Sequence, residues 1–187
     1  GVLEEIDEVL GGRSPSPGDF PRMPRVERAI KESMRLLPPM PMLFFRVASR
    51  EVRLGDVTLP AKSNVIVSPY ITQRDPKVFP EPKRFRPERW EAIDPTPFEY
   101  LPFGGGPRIC IGAAFARQTL RLVLPALLQR ARFSLAPGAR MDRHVQAIAL
   151  TSKHGMPMVL TAPHRRPHVP APIRGDLHEI VDLPAIS

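Results

Sequence analysis

Hydrophobic positions in the first ten residues fall at Val2, Leu3, Ile6, Val9 and Leu10. That spacing gathers them on one face of a helix, and Gly11-Gly12 supplies its stop. After a proline-rich connection the same period returns at Val26, Ile30, Met34 and Leu37. It predicts a second helix from Pro24 to Leu37, ended by Pro38-Pro39. Between Leu43 and Ser68 the pattern shortens to the runs "LFFRV", "EVRL", "VTLP" and "NVIVS", broken at Gly55-Asp56 and Ala61-Lys62. Short runs rich in β-branched residues predict a small antiparallel sheet.

Residues 75 to 102 are proline-rich with little periodicity. They predict a long surface loop, a feature uncommon in compact domains unless functional. From Ile111 to about Phe133 the chain is apolar nearly all round through "LRLVLPALL", which predicts a buried helix. Pro125 should kink it or end its regular bonding near Arg121. The stretch "VQAIALTSKHGMPMVLTA" predicts a hairpin turning at Lys153 to Gly155. Residues 163 to 187, rich in Pro and His, predict a poorly ordered tail.

At 42% hydrophobic and 25% charged residues, the composition fits a soluble globular chain, and the 25 prolines add long ordered loops. A single cysteine excludes an intrachain disulfide and suits a reducing, cytoplasmic compartment. The longest apolar run is too short to span a bilayer. The sequence opens in mid-helix without a Met and reads as a fragment, which leaves a membrane anchor ahead of it open. The net charge is +8, but the basic residues are scattered from Arg13 to Arg174 and do not alternate with aromatics. That argues against a nucleic-acid surface and for a solvated face or one that docks an acidic partner.

The only cysteine, Cys110, lies in "PFGGGPRICIG", residues 102 to 112. A lone cysteine is by default a small buried hydrophobe. Here a helix beginning just after it would aim unpaired N–H groups and the positive end of its dipole at the sulfur, as suits a metal-ligating thiolate. Gly104, Gly105, Gly106 and Gly112 let the backbone come close to something large and flat. Arg108 adds a cation suited to a carboxylate. Together these describe the proximal side of a haem site. Two other readings are an anion nest at "GGGPR" and a nucleophilic Cys110 with a histidine base. The first lacks the Gly-Lys-Ser/Thr ending of a phosphate loop, and the five histidines of the second all lie downstream, at 144 or beyond.

Phe103, Gly106, Arg108, Cys110 and Gly112 fill the pattern F-x-x-G-x-R-x-C-x-G, and over residues 1 to about 162 the chain resembles the cytochrome P-450 family. "ESMR" supplies Glu32 and Arg35, and "RPERW" supplies Arg89. The resemblance makes these three a structural Glu-Arg-Arg cluster that pins the long loop beneath the haem. "QRDP" and "FFR" are also similar to family segments, and by position Arg46 resembles an arginine that reaches a second haem propionate. The resemblance implies a mainly α fold with small antiparallel β-sheets, of which residues 1–162 are the C-terminal, proximal, haem-ligating part.

It further implies haem b (iron protoporphyrin IX) as cofactor, with Cys110 as axial ligand. The implied enzyme is a haem-thiolate monooxygenase that inserts one oxygen atom from O2 into a hydrophobic small molecule. The alternative is a truncated or degenerate haem-binding fragment without catalysis. Met42, Leu43, Leu150 and Thr151 are the candidate substrate contacts, joined by Met40. The helix that carries oxygen-activation residues in this family has no counterpart in the chain, so no catalytic residue is assigned and the isolated chain is expected to be inactive. The implied electron donor is an acidic ferredoxin-like or flavodoxin-like protein. It would dock over the Cys turn beside Arg117, Arg121, Arg130 and Arg132.

Overall fold

Helix α1 (Val2–Leu10) and helix α2 (Pro24–Leu36) are joined by a 3-10 turn at Pro17–Arg22 in a computed structural model that describes residues 1–163 and 173–182. The periodic residues of both helices meet: Ile6, Leu10, Met23, Val26 and Ile30 form one buried cluster, with Val9 and Met34 packed against it. Gly11 ends α1 in the left-handed region at φ 54°. The Glu5 carboxylate, buried on α1, accepts the Arg25 and Val26 N–H groups at 2.9 Å each. It thereby satisfies unpaired donors at the start of α2 and places a negative charge at the positive end of that helix.

The segment after α2 forms two separate antiparallel ladders. Strand β1 (Arg46–Val47) pairs with β4 (Asn64–Val65), and β2 (Val52–Leu54) pairs with β3 (Val57–Leu59) around Gly55. A single turn, α3 (Pro69–Thr72), follows with Ser68 as its cap. Residues 75 to 102 then run without strand or α-helix, holding one 3-10 turn at Pro87–Glu91.

Helix α4 (Ala113–Arg130) differs from the sequence expectation in three ways. It starts at Ala113, and it stops at Arg130, leaving Phe133 in strand β5 (Arg132–Leu135). It continues through Pro125, whose ring is fully buried. A proline costs one backbone bond here without breaking the turns on either side, because packing holds the ring in place. The helix is also not buried all round. Leu124 and Leu128 join the α1/α2 cluster, whereas Phe115, Val123 and Leu127 are exposed.

The last strands also pair differently from the expectation. Strands β6 (Arg143–Gln146) and β7 (Ala149–Ser152) form the hairpin, turning at Ala147-Ile148 with Ala147 at φ 56°. The turn at Lys153 to Gly155 only links β7 to β8 (Met158–Thr161), and β8 pairs with β5 across the hairpin.

Of the expected tail, residues 164–172 and 183–187 lie outside the described residues. The part that is described, 173–182, is docked. Ile180 and Val181 are buried with Leu36 at the end of α2, flanked by Tyr70 and Leu177. Among the described residues no helix is long and apolar enough to cross a membrane.

Candidate functional site

Glu32 and Arg35 sit three residues apart on α2, both side chains without solvent exposure. Arg35 donates to Glu32 twice, Nε to Oε2 at 2.9 Å and Nη2 to Oε1 at 3.0 Å. The 3-10 turn at Pro87–Glu91 adds the third member, Arg89, whose Nε donates to Glu32 Oε1 at 3.0 Å. Two further donors complete the carboxylate: the Arg86 backbone N–H at 2.9 Å and the Trp90 indole N–H at 3.0 Å. One carboxylate thus faces two guanidiniums, and the excess donors go to loop carbonyls. Arg35 reaches the carbonyls of Gln73 (2.9 Å), Pro82 (2.8 Å) and Arg84 (3.3 Å), and Arg89 those of Pro80 and Glu81. This is how a loop without regular structure acquires a fixed path. Burial alone would raise the Glu32 carboxyl. The Arg35 and Arg86 hydrogen bonds and the Arg35 and Arg89 charges outweigh it and hold the group below the usual carboxylate value.

Gln73 carries the order of this cluster to the cysteine turn. It is fully buried; its Nε2 donates to the carbonyls of Met34 (3.1 Å) and Arg35 (3.0 Å), and its Oε1 accepts the Leu101 N–H at 2.7 Å. Tyr100 adds a second tie, its hydroxyl donating to the Lys31 carbonyl at 3.1 Å and its ring meeting Trp90 edge-on at 4.7 Å. Burial, followed by the nearby Glu27 charge, pushes the Tyr100 hydroxyl well up, so it stays a donor. Gln73 stands in "QRDP" and Trp90 in "RPERW", and the sequence pattern alone assigns neither a role. The signal available was a lone Trp directly after Arg89.

The turn itself is closed by the Cys110 N–H, which donates to the Phe103 carbonyl at 2.9 Å. Gly104 and Gly106 stand in the left-handed region at φ 74° and 67°. Leu43 lies against the turn, its Cδ1 3.7 Å from where a Gly104 side chain would begin. Gly112 caps α4, with the Cys110 Sγ 3.7 Å from the position of an added Cβ. Cys110 is a free thiol and exposed, as are Ile109 and Ile111 on either side of it. Arg108 and Arg46 are exposed, and among the described residues neither forms an ion pair. Among the described residues the Arg46 guanidinium donates to the carbonyls of Phe44 (3.0 Å) and Phe45 (3.3 Å) alone.

The candidate substrate contacts separate into two places. Leu150 and Thr151 line a cavity of about 220 Å³ with Leu37, Met141, Met156 and Leu177. The Leu150 N–H also donates to the Pro39 carbonyl at 2.8 Å, fastening β7 to the segment after α2. Leu43 faces the cysteine turn, and Met42 is exposed.

The basic face expected on α4 is smaller than the sequence implies. Arg121 gives two hydrogen bonds of 2.6 Å to the Glu27 carboxylate, and Arg132 is buried, bonded to the Leu128 carbonyl and 3.8 Å from Asp7. Arg117 lies over the Phe103 ring at 5.3 Å, and Arg130 is exposed. The α4 spacing alone did not reveal Glu27, which reaches Arg121 from α2.

The cytochrome P450 family model matches residues 1–158. Cyclooctatin synthase of Streptomyces melanosporofaciens is 44% identical over 140 residues, covering 73% of this chain and 30% of that protein. Cyclooctat-9-en-7-ol 5-monooxygenase of the same organism is 38% identical over 143 residues, covering 75% and 31%. Among solved structures, a zebrafish cytochrome P450 with abiraterone superposes with a TM-score of 0.74 at 32% identity, over 88% of this chain and 39% of that one. The chain therefore spans about a third of the length of the relatives it matches.

Proposed function

This chain belongs to the cytochrome P450 family, and from that premise we propose that it forms the thiolate side of a haem b site in a monooxygenase acting on an apolar small molecule. The observation that carries the proposal is Cys110: a free, exposed thiol on a glycine turn at the start of α4, in the family's cysteine pattern.

The residues present fit the group. A flat macrocycle needs an approachable sulfur, and the left-handed Gly104 and Gly106 keep side chains off the turn. Its apolar body suits the exposed Ile109 and Ile111. Its two propionates suit Arg108 and Arg46, whose guanidiniums no carboxylate of the described chain takes up. When bound, haem supplies the activation of dioxygen that lets one oxygen atom enter an unreactive bond. Cys110 would hold the iron through its sulfur. Arg108 and Arg46 would fix the orientation of the ring. The Glu32–Arg35–Arg89 cluster touches no reacting atom; it holds the loop, and Gln73 passes that rigidity to Leu101 and the turn.

An apolar substrate is supported by the mostly apolar lining beside Leu150 and by the second bacterial relative, a cyclooctat-9-en-7-ol 5-monooxygenase. An acidic one-electron donor would meet Arg117 and Arg130, the α4 arginines that no carboxylate among the described residues pairs with.

The reduced protein loaded with haem should show, with carbon monoxide, the red-shifted absorption band of thiolate ligation. Cys110→His should keep haem and lose that band, and a variant that retains it overturns the assignment.

A further inference from the structure

The chain continues past the family match, which ends at residue 158, and its residues 173–182 return to the body of the fold. They make several specific contacts with it. The Met141 N–H donates to the Arg174 carbonyl at 2.8 Å, and the Leu177 N–H returns to the Met141 carbonyl at 3.2 Å. Asp176 accepts the Arg143 N–H at 2.7 Å and pairs with the Arg143 guanidinium at 3.2 Å, while its own N–H donates to Asp142 at 3.1 Å. Glu179 takes the other end of the same guanidinium. At the far end Ile180 and Val181 are buried on Leu36, and the Asp182 N–H donates to the Lys83 carbonyl at 3.0 Å.

Between these anchors is Gly175, at φ 107°. A Cβ there would stand 2.4 Å from the Met141 carbonyl oxygen and 2.7 Å from the Asp142 carboxylate. Only glycine permits the backbones to lie this close. Arg143 and Asp142 open the β6–β7 hairpin that carries Leu150 and Thr151, and Leu177 forms a wall of the cavity these two residues line.

We infer that residues 173–182 are a strap that fixes the β6–β7 hairpin against α2, with Gly175 and Asp176 as positioning residues for Leu150, Thr151 and the substrate cavity beside them. The substrate role of that cavity rests on the function proposed above; the strap itself does not. Its charged latch acts at the base of the hairpin, and its apolar end is seated on the helix that bears Glu32 and Arg35. The cavity shape is then set partly by residues outside the stretch shared with the family.

Hydrogen exchange of the whole chain tests this. In Gly175→Ala and in Asp176→Ala the Leu150 N–H, bonded to Pro39 and not to the strap, should exchange at least tenfold faster. The Arg86 N–H on Glu32 should keep its wild-type rate, and Asp176→Glu should restore Leu150 to within about threefold. In haem-loaded protein the same two alanine variants should bind 1-phenylimidazole at least threefold more weakly with unchanged haem content. An unchanged Leu150 rate in both alanine variants overturns the strap, and so does equal loosening of Arg86, which would make the segment part of the common core. A wild type whose haem band does not respond to 1-phenylimidazole would count against the haem reading, while the exchange rates still decide the strap.

Discussion

Arg89 donates its Nε to Glu32 Oε1 at 3.0 Å across 57 residues of chain, in a site where the carboxylate has no exposure at all. Replacing Glu32 by Ala leaves two buried guanidiniums facing each other and frees the Arg86 and Trp90 N–H groups. The expected loss is about 3–5 kcal/mol, enough to abolish soluble expression of a marginal fold. Chemical denaturation or soluble yield measures it, and a stability near wild type would mean that the cluster relaxes to reach water.

Acid should weaken the fold through carboxylates held below their ordinary range. At Asp19 the cause is the Arg13 hydrogen bond, followed by those of Ser16. A group whose folded value is depressed contributes its full stability above the unfolded value and loses it as pH falls toward the folded one. Stability should therefore decline as pH drops below about 4, and Asp19→Asn should show a shallower decline. Urea midpoints across that range give the comparison; parallel curves would show that Asp19 has no such role.

Gln73→Ala strands the Leu101 N–H and removes two bonds to the carbonyls ending α2. Each unsatisfied buried group costs about 1–3 kcal/mol. The variant should lose stability and also bind haem less tightly, since Leu101 leads into the cysteine turn. A destabilised protein with wild-type haem retention would separate the two effects.

Gly106→Ala meets no atom within 4 Å, so its cost is the left-handed backbone alone, about 1–2 kcal/mol. Gly104→Ala meets Leu43 only at ordinary contact distance, 3.7 Å, on a similar left-handed backbone, so it should cost no more than Gly106→Ala. Thermal midpoints of the two variants give the comparison; a clearly larger loss in Gly104→Ala would show that Leu43 is held too rigidly to accept the methyl.

Glu27 and Arg121 should couple by about 0.5–1 kcal/mol in a double-mutant cycle, because the pair is two-pronged and only partly exposed. Arg117→Ala should leave the melting point near wild type yet slow reduction by an acidic donor at low ionic strength. A rate independent of salt would count against electrostatic docking.

Helices α1 and α2 were legible in the sequence because each buries one stripe against the other, which leaves a clean period. In α4 the apolar run gives no direction, so its exposed side, bearing Phe115 and Val123, could not be told from its packed side. Glu32 and Arg35 were visible as neighbours on one helix. Gln73 was not, because its partners at Met34, Arg35 and Leu101 are 28 to 39 residues away and no local pattern encodes them. The hairpin was misplaced for the same reason: Lys153 to Gly155 carries the stronger turn signal, but β8 pairs with β5 and not with β7. Gly175 looks like any loop glycine until the Met141 carbonyl is placed against it.

The distance along the chain between Glu32 and its partners also imposes an order of assembly. Closing a loop of more than fifty residues is entropically costly and slow compared with forming α1 and α2, whose contacts are local. Until Arg86, Arg89 and Trp90 arrive, Gln73 has a less settled frame from which to hold Leu101, and the cysteine turn has only its own short bonds. A chain in which that loop has yet to close therefore holds its local helices while the cysteine turn still lacks its frame. An ion cluster that does not include Cys110 thus governs when the turn around it is framed.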